Sequence, residues 1–408
     1  MNMPLIVQKY GGSSLADADM IKNVAKRIAK TRKAGNQVVV VVSAMGETTD
    51  DLIKLAYHVN KDPEERELDV LLSTGELVAS TLLAMALHGM GLPSISLSGA
   101  QAGISTDDAY SRARITNIDP SRIFKELNKG NIVIVAGFQG ITKDLDITTL
   151  GRGGSDTTAV ALAVALKAER CERYTDVDGI YTTDPRILPK ARKLRDISYD
   201  EMLEMVTYGF KAVQPRAVEL AEVYNMPLLV ASSFNSNPGT LIHKEVTMEI
   251  RNKVRGIAHD LDVAKITILG VPDRPGIAAK IFVPLAKAGI SVDTIVQNAS
   301  VKKITDLTFT VAKSQLAGAM KVVTPISKSI GARKCIGDPK WGKVSIIGSG
   351  MQNTPGYAAR MFDSLSKAGI NIQLITTSEI RITCIIEEGK VKDAIKALHQ
   401  AFELDKKS

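Results

Sequence analysis

The segment Thr148-Thr149-Leu150-Gly151-Arg152-Gly153-Gly154-Ser155-Asp156-Thr157-Thr158 gathers a guanidinium, a carboxylate and several hydroxyls in one glycine-rich turn. It follows an apolar β-type run, Ile132 to Ala136, and a Gly- and Asp-rich hairpin, and it precedes a helix-prone stretch, Ala159 to Ala168. A glycine loop that feeds a helix N-terminus presents free backbone N–H groups and the positive end of a helix dipole, which suit a phosphate or a carboxylate. Arg152 adds a planar fork for either anion, and Asp156 places a carboxylate in the first helical turn. The same residues also describe an ordinary strand-to-helix turn in which Ser155 and Asp156 cap the helix, so this segment alone leaves both readings open.

Companion segments must position such a loop. Leu5 to Lys9 reads as a strand running into Tyr10-Gly11-Gly12-Ser13-Ser14 and then an amphipathic helix from about Asp17 to Lys33, a second anion cradle by backbone geometry. Lys9 stands at its mouth, either as a point charge for phosphate oxygens or as a solvent-exposed strand end. The β run Gln37 to Val42 ends in Ser43-Ala44-Met45-Gly46-Glu47-Thr48-Thr49-Asp50, with hydroxyls where open α/β sheets hold ligands and where helices are capped. A long helical region follows, interrupted near Ser73-Thr74-Gly75-Glu76. Glu76 lies in the apolar stretch Val70 to Leu87, as a surface residue or a buried partner for an amine; taken alone, the surface is the better reading. Further strands are expected at Ser94 to Leu97, Cys171 to Thr175 and Pro227 to Ala231, with helices between, which implies a mainly parallel sheet covered on both faces. The loop Tyr174 to Arg186 is rich in hydroxyls and carboxylates, and turn chemistry accounts for most of it. A helix at Tyr199 to Thr207 leads to Tyr208-Gly209-Phe210-Lys211.

Composition narrows the class. A chain of 408 residues exceeds what one core usually serves, so two or more domains are expected. Aromatic content of only 4% argues against a nucleic-acid stacking platform. The net charge of +8 is spread among acids, a solvated surface with mild attraction for anionic metabolites. Cys171, Cys335 and Cys384 are far apart and fit a reducing compartment, while the histidines form no ligand pattern, so no protein metal site is expected. The N-terminus enters a strand directly and no window approaches 18 uncharged apolar residues, so a cytoplasmic protein without membrane partners is expected.

The C-terminal part repeats itself. Lys265 to Gly270 recurs as Lys343 to Gly348, Pro275 to Phe282 as Pro355 to Phe362, and Lys287 to Ile290 as Lys367 to Ile370. Each copy reads strand, Pro-Gly, helix, strand, strand, helix, and such a repeat is hard to produce by accident. The expected division is 1–243, a linker at 244–264 with an extended segment, and repeats at 265–337 and 338–408.

Lys9 to Ser14, Ser43 to Gly46, Ser73 to Glu76, Gly151 to Thr158 and Thr175 to Arg186, in this order, closely resemble aspartate kinase of the amino-acid kinase superfamily, and the repeat resembles its paired ACT regulatory domains. The likeness covers about residues 3 to 404, with Ala212-Val213 where a Val-Leu pair is common. It implies a parallel α/β domain with helices on both faces followed by two α+β, βαββαβ ferredoxin-like ACT domains. It also implies phosphoryl transfer from ATP, with Mg²⁺ held mainly by the phosphates, to the side-chain carboxylate of L-aspartate. The likeness gives Lys9 and the N–H groups of Gly11 and Gly12 to the phosphoryl group, with Tyr10 beside them and Lys211 on the nucleotide phosphates. It has Asp156 orient Lys9, Arg152 grip a carboxylate, Glu76 pair with the α-ammonium, and Ser43, Thr49 and Ser155 supply neutral hydrogen bonds near Gly153 and Gly154. Thr175, Asp176, Tyr181 and Arg186 become nucleotide contacts.

In the repeats, Asp273, Arg274, Pro275, Gly276 and Ile277 form a loop before a helix, as do Asn353 to Gly356, and such ends can bind an α-carboxylate. Gln297, Asn298, Asn371, Ile372, Ser378 and Glu379 could take an ammonium, although both Pro-Gly pairs also serve as helix-start punctuation. The resemblance favours feedback by lysine, threonine or both and a homodimer or higher oligomer through the ACT units, and Met248 stands where some relatives begin a separate regulatory subunit. A kinase for glutamate or acetylglutamate and a catalytically dead amino-acid sensor are the competing readings. The ACT pair and Ser73 to Glu76 weigh against the first, and joint retention of Lys9, Arg152, Asp156 and Glu76 weighs against the second.

Overall fold

The computed structural model describes residues 3–244, 254–298, 303–351 and 354–406. Two compact units are present, one of residues 1–180, 193–206 and 211–247, the other of residues 181–192, 207–210 and 248–408.

In the first unit the elements run β1 (Leu5–Tyr10), α1 (Ala18–Lys33), β2 (Gln37–Val42), α2 (Thr48–Val59), α3 (Glu65–His88), β3 (Ser94–Leu97), β4 (Ile104–Thr106), β5 (Ile115–Ile118) and α4 (Ser121–Asn128). They continue as β6 (Ile132–Ala136), β7 (Gln139–Ile141), β8 (Ile147–Thr149), α5 (Gly154–Ala165), β9 (Arg170–Thr175), β10 (Asp196–Ser198), α6 (Tyr199–Thr207), α7 (Pro215–Val223), β11 (Leu228–Ser232) and β12 (Thr240–His243). The main sheet has the order β10-β12-β11-β9-β1-β2-β6-β3. Its pairs are parallel except β11 with β12. Val38 to Val42 are all buried, because β2 is central and covered on both faces, which is why it reads as an unbroken valine run. A small sheet, β5-β4-β7-β8, contains the hairpin expected before the glycine loop.

Two expectations are corrected. The helical region does not break near Ser73 to Glu76: α3 runs through it without interruption. A glycine inside a helix costs about 1 kcal/mol, but a Cβ at Gly75 would stand 2.8 Å from Ala44 Cβ, so the glycine lets α3 lie against the turn after β2. The Ser73 and Thr74 hydroxyls donate to the carbonyls of Val70 and Leu71 and stay satisfied within the helix. Among the described residues α3 alone is long and apolar enough to cross a membrane, yet half of that stretch is buried inside the unit, where it carries the buried Asp69 and Glu76. The helix expected to follow the glycine loop begins at Gly154, with Asp156 in its first turn as expected, because Gly153 takes a left-handed conformation (φ +76°) and turns the chain into it, but it falls short of the expected end at Ala168. It ends before Lys167, itself at φ +51°.

The second unit contains β13 (Gly256–Pro272), α8 (Ile277–Lys287), β14 (Ile295–Gln297), β15 (Ile304–Val311), α9 (Leu316–Ser329), β16 (Lys334–Ile347), α10 (Tyr357–Lys367), β17 (Leu374–Thr377), β18 (Arg381–Glu387) and α11 (Val391–Ala401). One antiparallel sheet, β14-β15-β13-β16-β18-β17, serves both repeats. The extended segment expected within 244–263 is the first part of β13, whose residues Gly256 to Asp260 pair with Ile347 to Lys343, while Lys265 to Leu269 pair with Asp338 to Lys334. The second repeat is therefore paired with the segment that precedes the first, while the first repeat pairs with its own C-terminal end. Separate cores result, one around Ile266, Ile281, Phe309 and Val323, the other around Ile346, Met361, Cys384 and Leu398.

Candidate active site

Register brings the first charges together. In the parallel pairing of β1 with β9, Lys9 lies opposite Arg173. Parallel neighbours in register project to the same face of the sheet, so two cations stand side by side. The first turn of α5 supplies the anion between them: Asp156 Oδ1 is 2.6 Å from Lys9 Nζ, and its Oδ2 accepts from Arg173 Nε at 2.9 Å. All three are largely buried. Burial by itself would raise the Asp156 carboxyl, but Arg173 and Lys9 outweigh it and hold the group at about 2. Burial pulls the Lys9 ammonium below its usual value, and Asp156 opposes that loss while Arg173 adds to it. Arg173 Nη1 is buried without a hydrogen-bond partner, so positive charge at this corner exceeds what Asp156 neutralises. Cys171 lies nearby, its thiol pushed far up by burial, and all three cysteines are free.

The turn after β1 closes on the turn after β2. Gly46 N–H donates to Gly12 O at 3.1 Å, and a Cβ on Gly12 would stand 2.8 Å from Ala44 O, so only glycine fits there. A Cβ on Gly11 would be 3.7 Å from Lys9 Nζ, which puts this turn beside the lysine head group. The Tyr10 side chain points away from any ligand: it is fully buried, stacked on Tyr174 at 5.0 Å, with its hydroxyl donating to Gln8. Any nucleotide contact at Tyr10 is therefore through its main chain.

Glu76 is buried, at 3% exposure, against the surface reading that composition alone favours. Its Oε1 accepts from Ala44 N–H at 3.1 Å, while Oε2 has no hydrogen-bond partner. Burial pushes the carboxyl up to about 7, with the Ala44 N–H and the field of Lys9 pulling the other way. A buried carboxyl with one oxygen lacking a donor gains from a cationic or donating partner. Ser43 and Thr49 are partly buried near the end of β2, Ser155 is buried in the first turn of α5, and Arg152 is exposed on the glycine loop. Gly153 is pressed against Gln214, with no room for a Cβ.

Two charged side chains that tie these elements together are not marked in the sequence. Arg173 sits inside a strand-like run, and nothing local marks it as a partner of Asp156. Asp69 is completely buried on α3 and accepts from Thr149 N–H (2.8 Å), Thr149 Oγ1 (2.6 Å), Ser111 N–H (2.9 Å) and Ser111 Oγ (3.4 Å). It ties the base of the glycine loop to the helix that carries Glu76. A second acid seven residues before Glu76, two helical turns away on the same face, was the available signal.

Of the expected nucleotide contacts, Thr175 is buried and donates to Asp176 Oδ1, and Asp176 and Lys211 are exposed. Tyr181 and Arg186 belong to the second unit, where Arg186 pairs with Asp184. In that unit Asp273, Arg274, Pro275 and Gly276 are exposed and Ile277 is buried at the start of α8; Gly276 and Gly356 both take left-handed conformations before their helices. Gln297, Asn298, Asn371, Ser378 and Glu379 are exposed and Ile372 is half-buried. Asn353 and Met248 lie outside the described residues.

Comparison with known proteins agrees with this architecture. Residues 4–232 match the model of the amino acid kinase family, and residues 265–324 and 344–402 each match an ACT domain. The chain is 52% identical to the aspartokinase of Pseudomonas aeruginosa, over 99% of this chain and 98% of that protein. Among solved structures, the aspartate kinase from Synechocystis is 44% identical with a TM-score of 0.55, covering 98% of this chain and 69% of the other. The Clostridium acetobutylicum aspartate kinase is 25% identical with a TM-score of 0.80, covering 97% and 100%.

Proposed function

The chain belongs to the amino acid kinase family, among its aspartate kinases, and from that premise we propose how its residues carry the reaction, which moves the γ-phosphoryl group of ATP to the side-chain carboxylate of L-aspartate. One observation carries the reading: Lys9, Asp156 and Arg173 form a buried cluster with surplus positive charge beside the Gly11–Gly12 turn, within the electrostatic reach of Glu76.

The acceptor carboxylate, with an ordinary pKa of about 4, is already ionised at neutral pH and needs no general base. A carboxylate oxygen attacks the γ-phosphorus, the bond to the β-bridging oxygen breaks, and ADP leaves with that electron pair. The barrier is repulsion between two anions, so positioning and fixed positive charge do the catalysis. Lys9, oriented by Asp156, and the N–H groups of Gly11 and Gly12 receive the charge of the moving phosphoryl group. Lys211, Thr175 and Asp176 hold the nucleotide, and Mg²⁺ would enter with it as part of the substrate, screening the phosphates. Glu76 takes the α-ammonium of aspartate, Arg152 a carboxylate, and Ser43, Thr49 and Ser155 lend neutral hydrogen bonds. Arg173 keeps Asp156 ionised and therefore keeps Lys9 placed.

The paired ACT repeats support feedback by lysine, threonine or both through the Pro-Gly loops, and assembly as a homodimer or larger. Division at 1–243, 244–264, 265–337 and 338–408 follows the repeat, and a separate regulatory chain beginning at Met248 would have a mass of roughly 17 kDa, by the usual mass per residue. Membership among biosynthetic kinases supports a cytoplasmic location and the first step of lysine, threonine and methionine synthesis. Aspartate-dependent ADP release, with hydroxylamine trapping the acyl phosphate, tests the reaction: no hydroxamate from aspartate in the presence of Mg-ATP refutes it. Repeating the assay with lysine and threonine, singly and together, tests the regulation, and unchanged rates in every arm refute that part.

A further inference from the structure

Arg152 stands between two glycines, Gly151 and Gly153, both at φ +76°, a pair that leaves the loop free to move unless something holds it. Both of its shoulders are held from the start of α7, within the first unit. Ahead of Arg152, Arg216 donates from Nη1 to Leu150 O at 3.2 Å and from Nη2 to Ala113 O at 3.1 Å. Ala113 N–H in turn donates to Thr149 O at 2.9 Å, so the guanidinium spans two segments that are already joined. Behind Arg152, Gly153 is seated on Gln214, where a Cβ would be 1.9 Å from Gln214 Cγ. Burial first, and then Arg114, lower the Arg216 guanidinium from its usual value, a cost that its two carbonyl partners offset. Arg216 lies on the wall of an open groove that Ile115, Leu220 and Val223 also line, so water can reach the two carbonyls when the side chain is cut back. The loop stays close to the buried charges: four residues, at most about 14 Å of chain, separate Arg152 from Asp156, the partner of Lys9.

We propose that Arg216 is a positioning residue for Arg152, its fork on Leu150 O and Ala113 O fixing where the glycine loop presents the Arg152 guanidinium to a carboxylate of aspartate. The inference rests on the role given above to Arg152. Steady-state kinetics on the full-length enzyme test it. Arg216→Ala raises KM for aspartate by about tenfold, the worth of one charge-assisted hydrogen bond, with kcat and KM for ATP unchanged. Combined with Arg152→Ala, it adds nothing further to KM for aspartate. If Arg152→Ala weakens aspartate and Arg216→Ala does not, if the two effects multiply, or if KM for ATP rises alongside KM for aspartate, the fork does not act through Arg152 and the inference is overturned. If Arg152→Ala itself leaves aspartate kinetics unchanged, the role of Arg152 fails and the inference falls with it. Should Arg216→Ala not fold, Arg216→Met keeps the stem in the groove and removes the guanidinium; it must give the same KM split, and an unchanged KM for aspartate overturns the fork.

Discussion

Glu76→Gln separates what the site needs from what the fold would prefer. The Glu76 carboxyl is pushed from 4.5 to about 7 chiefly by burial, so the folded protein holds this proton more tightly than the unfolded chain does. For an acid raised in the folded state, stability falls as pH climbs from 4.5 through 7 and then levels off. A rise of this size at 1.36 kcal/mol per unit corresponds to about 3 kcal/mol of strain in the first unit above pH 7. The amide of Gln is neutral throughout, keeps the shape, and can still accept from Ala44 N–H. The variant is therefore expected to match the wild type near pH 4.5 and to be about 3 kcal/mol more stable at pH 8. The lone tryptophan, Trp341, lies in the second unit and would report the wrong transition. Hydrogen exchange of peptides spanning Leu5–Tyr10 and Gln37–Val42, corrected for intrinsic rates, follows the first unit instead. Activity moves the other way: losing a charged partner for the ammonium costs about 1.5–3 kcal/mol, which raises KM for aspartate roughly 10- to 100-fold with KM for ATP unchanged. Equal protection of both proteins at pH 8 would show that burial does not strain this carboxyl. An unchanged KM for aspartate would remove Glu76 from the ammonium.

Lys9→Ala should lower kcat by about 10²-fold or more, as loss of one fixed transition-state donor does, and a near-normal kcat in a stopped-time ADP assay refutes its role. Arg152→Ala should chiefly raise KM for aspartate, and an effect confined to ATP would mean that the guanidinium serves the nucleotide. Asp69→Ala strands two backbone N–H groups and two hydroxyls, so the first unit should lose about 2–5 kcal/mol by the cost of unpaired buried donors; a loss below 1 kcal/mol in chemical denaturation contradicts the network. Acid should act through Asp156: its folded value near 2, against 3.8, gives a contribution of about 2 kcal/mol that is complete above pH 4 and vanishes towards pH 2. Asp156→Asn should flatten that part of the pH–stability curve, and an unaltered curve would show that the ion pairs carry none of it.

Much of the fold is local information and was legible in the chain. The valine run at β2, the Pro-Gly signals ahead of α8 and α10 and the duplicated repeat each report a short-range preference or periodicity. The glycine turns after β1 and before α5 likewise mark themselves, because a Cβ would collide with Gln214 at Gly153 and with the Ala44 carbonyl at Gly12.

What the chain could not announce are the contacts that join distant segments. Arg173 finds Asp156 only through the pairing of β1 with β9, and Asp69 finds Ser111 and Thr149 only once α3 lies under the hairpin. The continuity of α3 is of the same kind: local propensity puts a break at Gly75, and packing against Ala44 overrides it. So too is the state of Glu76, which composition assigns to water and the folded unit buries. Residue types and their neighbours set which chemistry was available. Burial and strand register, which exist only in the folded state, decided which charges meet, which are neutralised and which are left without a partner.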